Sequence, residues 1–191
     1  MKSQDVNTEH VYPKFEDTNR YTIEAAVDNY EDIFNEWDPA PFIRRDLNPA
    51  LQSFLEECSR DISIKHPLAV VFTMPSLEHD LEKEAICIDG VKNQFAFKVH
   101  VLEKERVEVM HGMIRNFIIG IALLGVAVIS DAQFSDNFFL DVLVQGFFIG
   151  GWVFIWEALS IVGFKNRSLN HKIKEWKRYL DAPIVFKEME G

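Results

Sequence analysis

The chain lacks the residue patterns that mark common catalytic and metal sites. It has only two cysteines, Cys58 and Cys87, and neither belongs to a CxxC or Cys/His spacing that would bind zinc. It also lacks a glycine-rich phosphate loop, a nucleophile elbow and an HExxH motif. The sequence therefore predicts no enzyme, no metal site and no cofactor, together with two reduced and buried thiols.

Positive charge is also scarce. The 20 lysines and arginines stand against 30 aspartates and glutamates, and the net charge is −10 at pH 7. A nucleic-acid partner is not expected, because it would require a basic patch or stripe on the protein. The first thirty residues are polar and contain no apolar segment typical of a signal peptide. Residues 1–20 are predicted to be a disordered acidic N-terminus.

Charge is missing altogether from one segment in the second half of the chain. The charge-free run Phe117–Ile129 has thirteen residues, and Met113 and Ile114 extend it upstream. Thirteen residues are few for a membrane helix, but Arg115 can extend its guanidinium to the interface and Ser130 is tolerated there. This segment is predicted to be the first transmembrane helix.

A second and longer apolar segment covers Val142–Phe164 and is interrupted only by Gln145, Glu157 and Ser160. A water-facing helix would gather its polar residues into one stripe. Gln145 and Glu157 instead lie roughly 120° apart, at about 100° per residue. The sequence therefore predicts a two-helix transmembrane hairpin over residues 113–164, with the lipid bilayer as its partner.

The bases that flank the two spans all lie on one side of the predicted hairpin. The connecting loop, residues 131–137, contains Asp131 and Asp136 but no lysine or arginine. The bases upstream and downstream of the spans are Lys104, Arg106, Arg115, Lys165, Arg167, Lys172, Lys174, Lys177 and Arg178. By the positive-inside rule, both termini are predicted to be cytoplasmic, with the loop on the other side of the membrane.

The remaining segments predict a small cytoplasmic domain of the α/β (α+β) class, mainly over residues 21–112. "YTIEAAV" and "PLAVVFTM" have strand composition, and Asn48 followed by Pro49 is a helix start signal. A long helix is expected from Leu77 into the first span, with Gly90 at a bend or a close approach. A last strand, "IVFKE", would close the domain, giving a mostly helical chain with a short sheet of about three strands.

Residues 165–191 are predicted to form a basic amphipathic helix followed by that last strand. Leu169, Ile173, Trp176 and Leu180 fall within roughly 60° on a helical wheel and form one apolar stripe. Two roles are open for the stripe: it enters the bilayer surface while the bases bind anionic headgroups, or it covers the small sheet. The candidate residues for headgroup binding or docking are Lys172, Lys174, Trp176, Lys177 and Arg178.

Glu157 is an unusual residue for a membrane span, because a carboxylate at the bilayer centre costs about 3 kcal/mol on insertion scales. It lies seven residues inside Phe164, and folding the hairpin about Phe134 places it level with His111 to Arg115. The first interpretation is an ion pair with Arg115 or His111 that locks the hairpin. A contact between subunits and a proton or ion pathway are the alternatives.

Gly146 and Gly150 form a GxxxG spacing in the second span, next to the polar residue Gln145. Small residues at this spacing let two helices approach closely. The close approach is expected either within the hairpin or between the protomers of a homo-oligomer. These glycines and Gln145 complete the set of candidate polar and packing positions in the spans.

The chain resembles a family of small, uncharacterised bacterial membrane proteins with a cytoplasmic α/β domain and a two-helix transmembrane hairpin. The resemblance is carried by "FFIGGWVFIWEALSIVGF", "HKIKEWKRYLDAPIVFK", "WDPAPFIRRDLNPALQSFLEEC" and "PLAVVFTMP", and it covers most of residues 30–187. The chain departs from the family after Trp156, where the family has a basic residue and proline and this chain has Glu157 and Ala158. The resemblance implies the membrane topology and no activity.

Three classes of function follow from these patterns. The first hypothesis is a non-enzymatic inner-membrane protein whose cytoplasmic domain senses or docks an unidentified protein or small-molecule ligand. The alternative is an oligomerising membrane effector, for example in phage defence, that permeabilises the membrane when its soluble domain is triggered. An enzyme acting at the membrane surface is a third class, but no motif supports it.

Overall fold

The computed structural model describes residues 10–15, 18–75, 80–133 and 138–189. The chain divides into two compact units: the soluble unit, Met1–His100 with Ile173–Gly191, and the hairpin unit, Val101–Lys172. Two 3-10 turns, Tyr30–Ile33 and Phe42–Arg44, accompany the longer elements. Those elements are β1 (Tyr21–Ala26), α1 (Pro49–Asp61), β2 (Leu68–Met74), α2 (Leu81–Gln133), α3 (Phe138–Ser160), a π-helical segment (Ile161–Lys165), α4 (Asn166–Leu180) and β3 (Ile184–Glu188).

The soluble unit contains a three-stranded parallel sheet in the order β1-β2-β3. The central strand, β2, is apolar along almost its whole length because both of its faces are buried. The C-terminal strand pairs with it in the register Val71↔Val185 and Phe72↔Phe186. The prediction of a short sheet of about three strands, closed by the end of the chain, is confirmed.

The helix α1 begins where the sequence predicts. The Asn48 side chain accepts a hydrogen bond from the Ala50 backbone N–H at 2.9 Å, and Pro49 occupies the first turn. Leu55 and Cys58 then turn towards the core. This start signal is local, so the sequence alone determined it.

The described part of residues 1–20 is not disordered. The Tyr12 hydroxyl donates a hydrogen bond to the Asp61 carboxylate at 3.0 Å, and the Thr22 N–H donates to the Pro13 carbonyl at 2.8 Å. These contacts attach residues 10–15 to the soluble unit, which corrects the prediction for that stretch. Residues 1–9, 16 and 17 lie outside the described residues.

The helix α2 begins at Leu81, and the predicted start at Leu77 falls among residues 76–79, which lie outside the described ones. It continues without a break to Gln133, as the sequence predicts. Gly90 lies at a close approach rather than a bend. A side-chain carbon added there would overlap the Phe42 carbonyl oxygen and lie 3.1 Å from the ring of Phe34.

Gly90→Ala should therefore lower the free energy of unfolding of the soluble unit by about 1 to 3 kcal/mol, the usual cost of overpacking. The higher helix propensity of alanine would offset up to about 1 kcal/mol of this loss. The matched control is Gly112→Ala in the same helix, where an added carbon meets nothing within 4 Å. Urea denaturation curves of both variants test the prediction, and equal midpoints would contradict it.

Two helices are long and apolar enough to cross a membrane, and the hairpin unit contains a part of each. They are α2 and the continuous helical stretch Phe138–Leu180, which includes α3, the π-helical segment and α4. Only 11% and 17% of their most apolar windows are buried within the protein. Such low burial distinguishes them from the core helices of a soluble protein.

Candidate functional site

The two helices of the hairpin touch at glycines. A carbon added to Gly120 would lie 2.9 Å from the Gly151 carbonyl oxygen and 2.7 Å from Cγ1 of Ile155. A carbon added to Gly151 would lie 2.7 Å from Cγ of Leu124. The close approach within the hairpin therefore depends on Gly120 and Gly151.

The predicted GxxxG pair is not at this contact. A carbon added to Gly146 meets nothing within 4 Å, and one added to Gly150 makes only an ordinary contact of 3.7 Å with Leu123. Gly146 lies about 140° around the helix from Gly151, on the opposite face. Of the two roles that the sequence left open for Gly146, packing within the hairpin is thus not the one observed.

Glu157 is exposed on the surface of α3. It lies about 120° around the helix from Gly151 and about 160° from Ile155, the residues that face α2. In the part of the chain that the structure describes, it forms no ion pair with Arg115 or His111. The depth of Glu157 that was estimated from the sequence agrees with the hairpin contacts. The rotation of α3 about its axis, however, points the carboxylate away from α2.

Arg115 and His111 are exposed on α2, and Gln145 is exposed on α3. Arg115 lies about 140° around the helix from Gly120, so it too faces away from the hairpin contact. The structure therefore does not bring the predicted polar residues of the spans together. Each of them is displayed on an outer face of the hairpin.

A polar contact that the sequence did not predict joins the two helices near their basic ends. The Arg106 guanidinium donates a hydrogen bond to Oδ1 of Asn170 at 3.1 Å. Asn170 in turn donates to Oδ1 of Asn166 at 3.3 Å. These residues lie beyond the apolar run, and no local motif connects positions so distant in sequence.

The outer surface of the hairpin is covered with large apolar side chains. Trp156 is 73% exposed and Phe164 is 77% exposed. The other exposed apolar residues of the hairpin include Ile114, Phe117, Ile118, Ile121, Val126, Val128, Ile129, Phe138, Phe139, Val142, Leu143, Ile149, Trp152, Val153, Leu159 and Val162. An apolar surface of this extent requires a covering layer, because isolated soluble domains rarely expose more than a few hundred Å² in one patch.

Only three of the five residues of α4 that were predicted to bind headgroups or a partner are exposed. Lys172, Lys174 and Lys177 are exposed. Trp176 is 3% exposed, and its ring packs against those of Phe95 and Tyr179. At Trp176 the apolar stripe thus covers the core, which is the second of the two roles that the sequence left open.

The structure corrects the prediction that Arg178 binds headgroups or a docking partner, because its side chain is buried. Its guanidinium donates to the backbone carbonyls of Ser59, Ile62, Ser63 and His66, and to the Ser59 hydroxyl at 2.6 Å. Burial lowers the pKa of Arg178 from its ordinary value. The guanidinium nevertheless stays charged at neutral pH, and the negative end of the α1 dipole compensates the charge.

A cleft of about 450 Å³ lies at the carboxyl end of β1, where ligands bind in many parallel sheets. Its polar lining includes Asp32 and Asn48. Both already serve the fold, since the Asp32 carboxylate accepts from the Asn29 N–H at 3.1 Å and Asn48 caps α1. One signal in the sequence marks this place, namely the acid-rich segment that follows the strand.

The two thiols lie in the core of the soluble unit. Cys87 is fully buried and Cys58 is 5% exposed. Burial raises the pKa of Cys87 to about 12 and also raises that of Cys58, so both thiols are protonated and unreactive at neutral pH. Within the described ranges, no three or more His, Cys, Asp or Glu side chains come together in a way that could hold a metal ion.

Comparison of the chain with protein-family models, with curated proteins and with solved structures gives no match. The resemblance to a family of bacterial membrane proteins accordingly stays a prediction.

Proposed function

We propose that the protein is a non-enzymatic membrane protein of the bacterial inner membrane, anchored by the two-helix hairpin. The observation that carries the proposal is the apolar outer surface of the hairpin unit. Moving one large apolar side chain from water into an apolar layer gains about 1.5 to 3 kcal/mol. More than a dozen such side chains are exposed on the hairpin, so a bilayer is the environment that this surface fits.

Charge supports an orientation with both termini in the cytoplasm. The helix ends near Arg106 and Arg167 are rich in lysine and arginine, whereas residues 131–137 contain none. The positive-inside rule places the basic ends in the cytoplasm. The soluble unit, which contains both chain ends, then lies in the cytoplasm as well.

The proposed role of the soluble unit is to sense or dock a cytoplasmic ligand or partner. The boundary between the two units falls within α2, at His100 and Val101, and again within α4, at Lys172 and Ile173. The two helices of the hairpin therefore also supply residues to the soluble unit.

A labelling experiment tests the membrane topology. Single cysteines introduced by Ser135→Cys in the loop and by Ser168→Cys in α4 should react with a membrane-impermeant maleimide from opposite sides of the inner membrane. The unmodified chain is the control, since Cys58 and Cys87 are buried and should not react. Labelling of both introduced cysteines from the same side would contradict the hairpin.

A specific observation also favours the alternative function, an oligomerising effector that permeabilises the membrane. Glu157 and Arg115 are polar residues displayed on the outer faces of the spans, where lipid alone would be an unfavourable environment for them. Purified protein should then release a trapped dye from liposomes of anionic lipid. Intact liposomes at every protein concentration, with the protein inserted, would exclude permeabilisation by the protein alone.

A further inference from the structure

We infer that the hairpin associates with further copies of itself through an intermolecular ion pair between Glu157 of one copy and Arg115 of the next. The inference rests on the proposed membrane insertion. It starts from the fact that both side chains are exposed and unpaired with each other within the part of the chain that the structure describes. Charged groups within a membrane usually pair with one another or with backbone carbonyls.

The two charges lie at nearly the same depth. Gly120 is opposite Gly151 and Ile155 in the hairpin. The two helices are antiparallel, so equal numbers of residues can be counted along each from these contacts. The count places Glu157 level with the range Ile114 to Ile118, which includes Arg115. When all copies have the same orientation in the membrane, Glu157 of one copy lies at the same depth as Arg115 of its neighbour.

The two charges also lie on the correct faces for such a contact. Glu157 and Arg115 point about 120° to 140° away from the glycines at the hairpin contact, each on its own helix. The outer face of α3 in one copy is therefore available to the outer face of α2 in the next. This heterologous arrangement repeats and can close into a ring.

Small residues accompany both charges at matching intervals. Gly150 precedes Glu157 by seven residues, and Ala122 follows Arg115 by seven, so each small residue lies within about 20° of its charge on the helix. In an antiparallel contact between α3 and a neighbouring α2, Gly150 would meet Ala122 when Glu157 meets Arg115. Gly146 continues the same face, and an added carbon there meets nothing within 4 Å. Small residues let the two backbones approach closely in a membrane.

The test is charge reversal in the full-length chain in inner membranes and in detergent. Glu157→Arg and Arg115→Glu should each reduce self-association about tenfold, the effect of losing one interhelical polar contact in a membrane. Co-expression of the two single variants, carrying different tags, should restore mixed oligomers, because each junction then joins opposite charges. Crosslinking and size-exclusion chromatography with light scattering measure the association.

Single, double and mixed variants distinguish an ion pair between copies from an ion pair within one chain. If the pair formed within one chain, a double variant with both reversals would associate again. A mixture of the two single variants would not associate in that case. This result would overturn the inference. Wild-type protein that is monomeric in the membrane would overturn it too, leaving the charges to lipid or to another protein. Protein that is absent from carbonate-washed membranes would instead contradict the proposed function.

If a charge reversal prevents folding, a variant that adds bulk at the proposed contact tests the inference instead. Gly146→Leu adds bulk to the proposed contact face and should abolish association. Gly163→Leu, which lies about 120° around the helix from Glu157 and also meets open space, should leave association unchanged. Protection of Cys58 and Cys87 from thiol reagents shows that the soluble unit is folded in each variant. Unchanged association of Gly146→Leu would overturn the inference.

Discussion

Replacing Arg178 by methionine should lower the free energy of unfolding of the soluble unit by about 3 to 5 kcal/mol. The guanidinium bonds to four backbone carbonyls and one hydroxyl. Methionine fills much of the same volume but donates nothing. Each buried carbonyl left without a donor costs about 1 to 3 kcal/mol before relaxation.

Two further variants make the Arg178 prediction specific. Arg178→Lys should lose less than Arg178→Met, because an ammonium keeps the charge near the end of α1 but cannot reach all five acceptors. Lys174→Met changes an exposed base on the same helix and should have little effect. The measurement is urea denaturation of the detergent-solubilised chain, followed by the reactivity of Cys58 and Cys87. If Arg178→Met and Lys174→Met have the same midpoint, the buried guanidinium does not stabilise the unit.

The second large effect is expected at the hairpin contact. Gly151→Leu should separate the two helices, because its side chain would overlap Leu124 and the Gly120 carbonyl. We expect a cost of about 3 kcal/mol or more, at the upper end of overpacking effects. Gly112→Leu on α2 is the matched control, since an added carbon there meets nothing within 4 Å.

The effect of Gly151→Leu can be measured with a pair of cysteines introduced across the hairpin. In a background of Leu123→Cys and Gly150→Cys, a short bifunctional thiol reagent should link the two positions within one chain. Gly151→Leu should reduce the yield of this link several-fold, and Gly112→Leu should not. Equal yields in both variants would show that the helices pack in another register.

The predictable parts of the fold are those that a short stretch of sequence encodes. The start of α1 follows from Asn48 and Pro49, and the buried central strand follows from the apolar run between Pro67 and Pro75. The two long apolar helices follow from segments that contain almost no charge. In each case local propensity and burial favour the same structure.

The features that the sequence did not predict depend on rotation and on distant contacts. The depth of Glu157 could be counted along the helix, but its direction depends on which face of α3 meets α2, and Gly120 and Gly151 decide that. For the same reason, the GxxxG spacing of Gly146 and Gly150 could not show that Gly120 and Gly151 form the close contact within the hairpin. Arg178 was expected to bind headgroups or a docking partner because it belongs to the bases outside the apolar stripe of α4. Its acceptors lie more than a hundred residues away, around the end of α1.

The place of β3 in the chain imposes an order on biosynthesis. More than a hundred residues, including both apolar helices, separate β3 from its neighbour β2. The ribosome therefore makes the whole hairpin unit before it makes Arg178, Tyr179 and β3, which complete the core of the soluble unit. Domains normally fold as their residues emerge, but this one must wait with its central strand unpaired on one side. Until β3 is made, the unfinished chain exposes that edge of β2, and an unpaired strand edge makes a folding intermediate prone to aggregate.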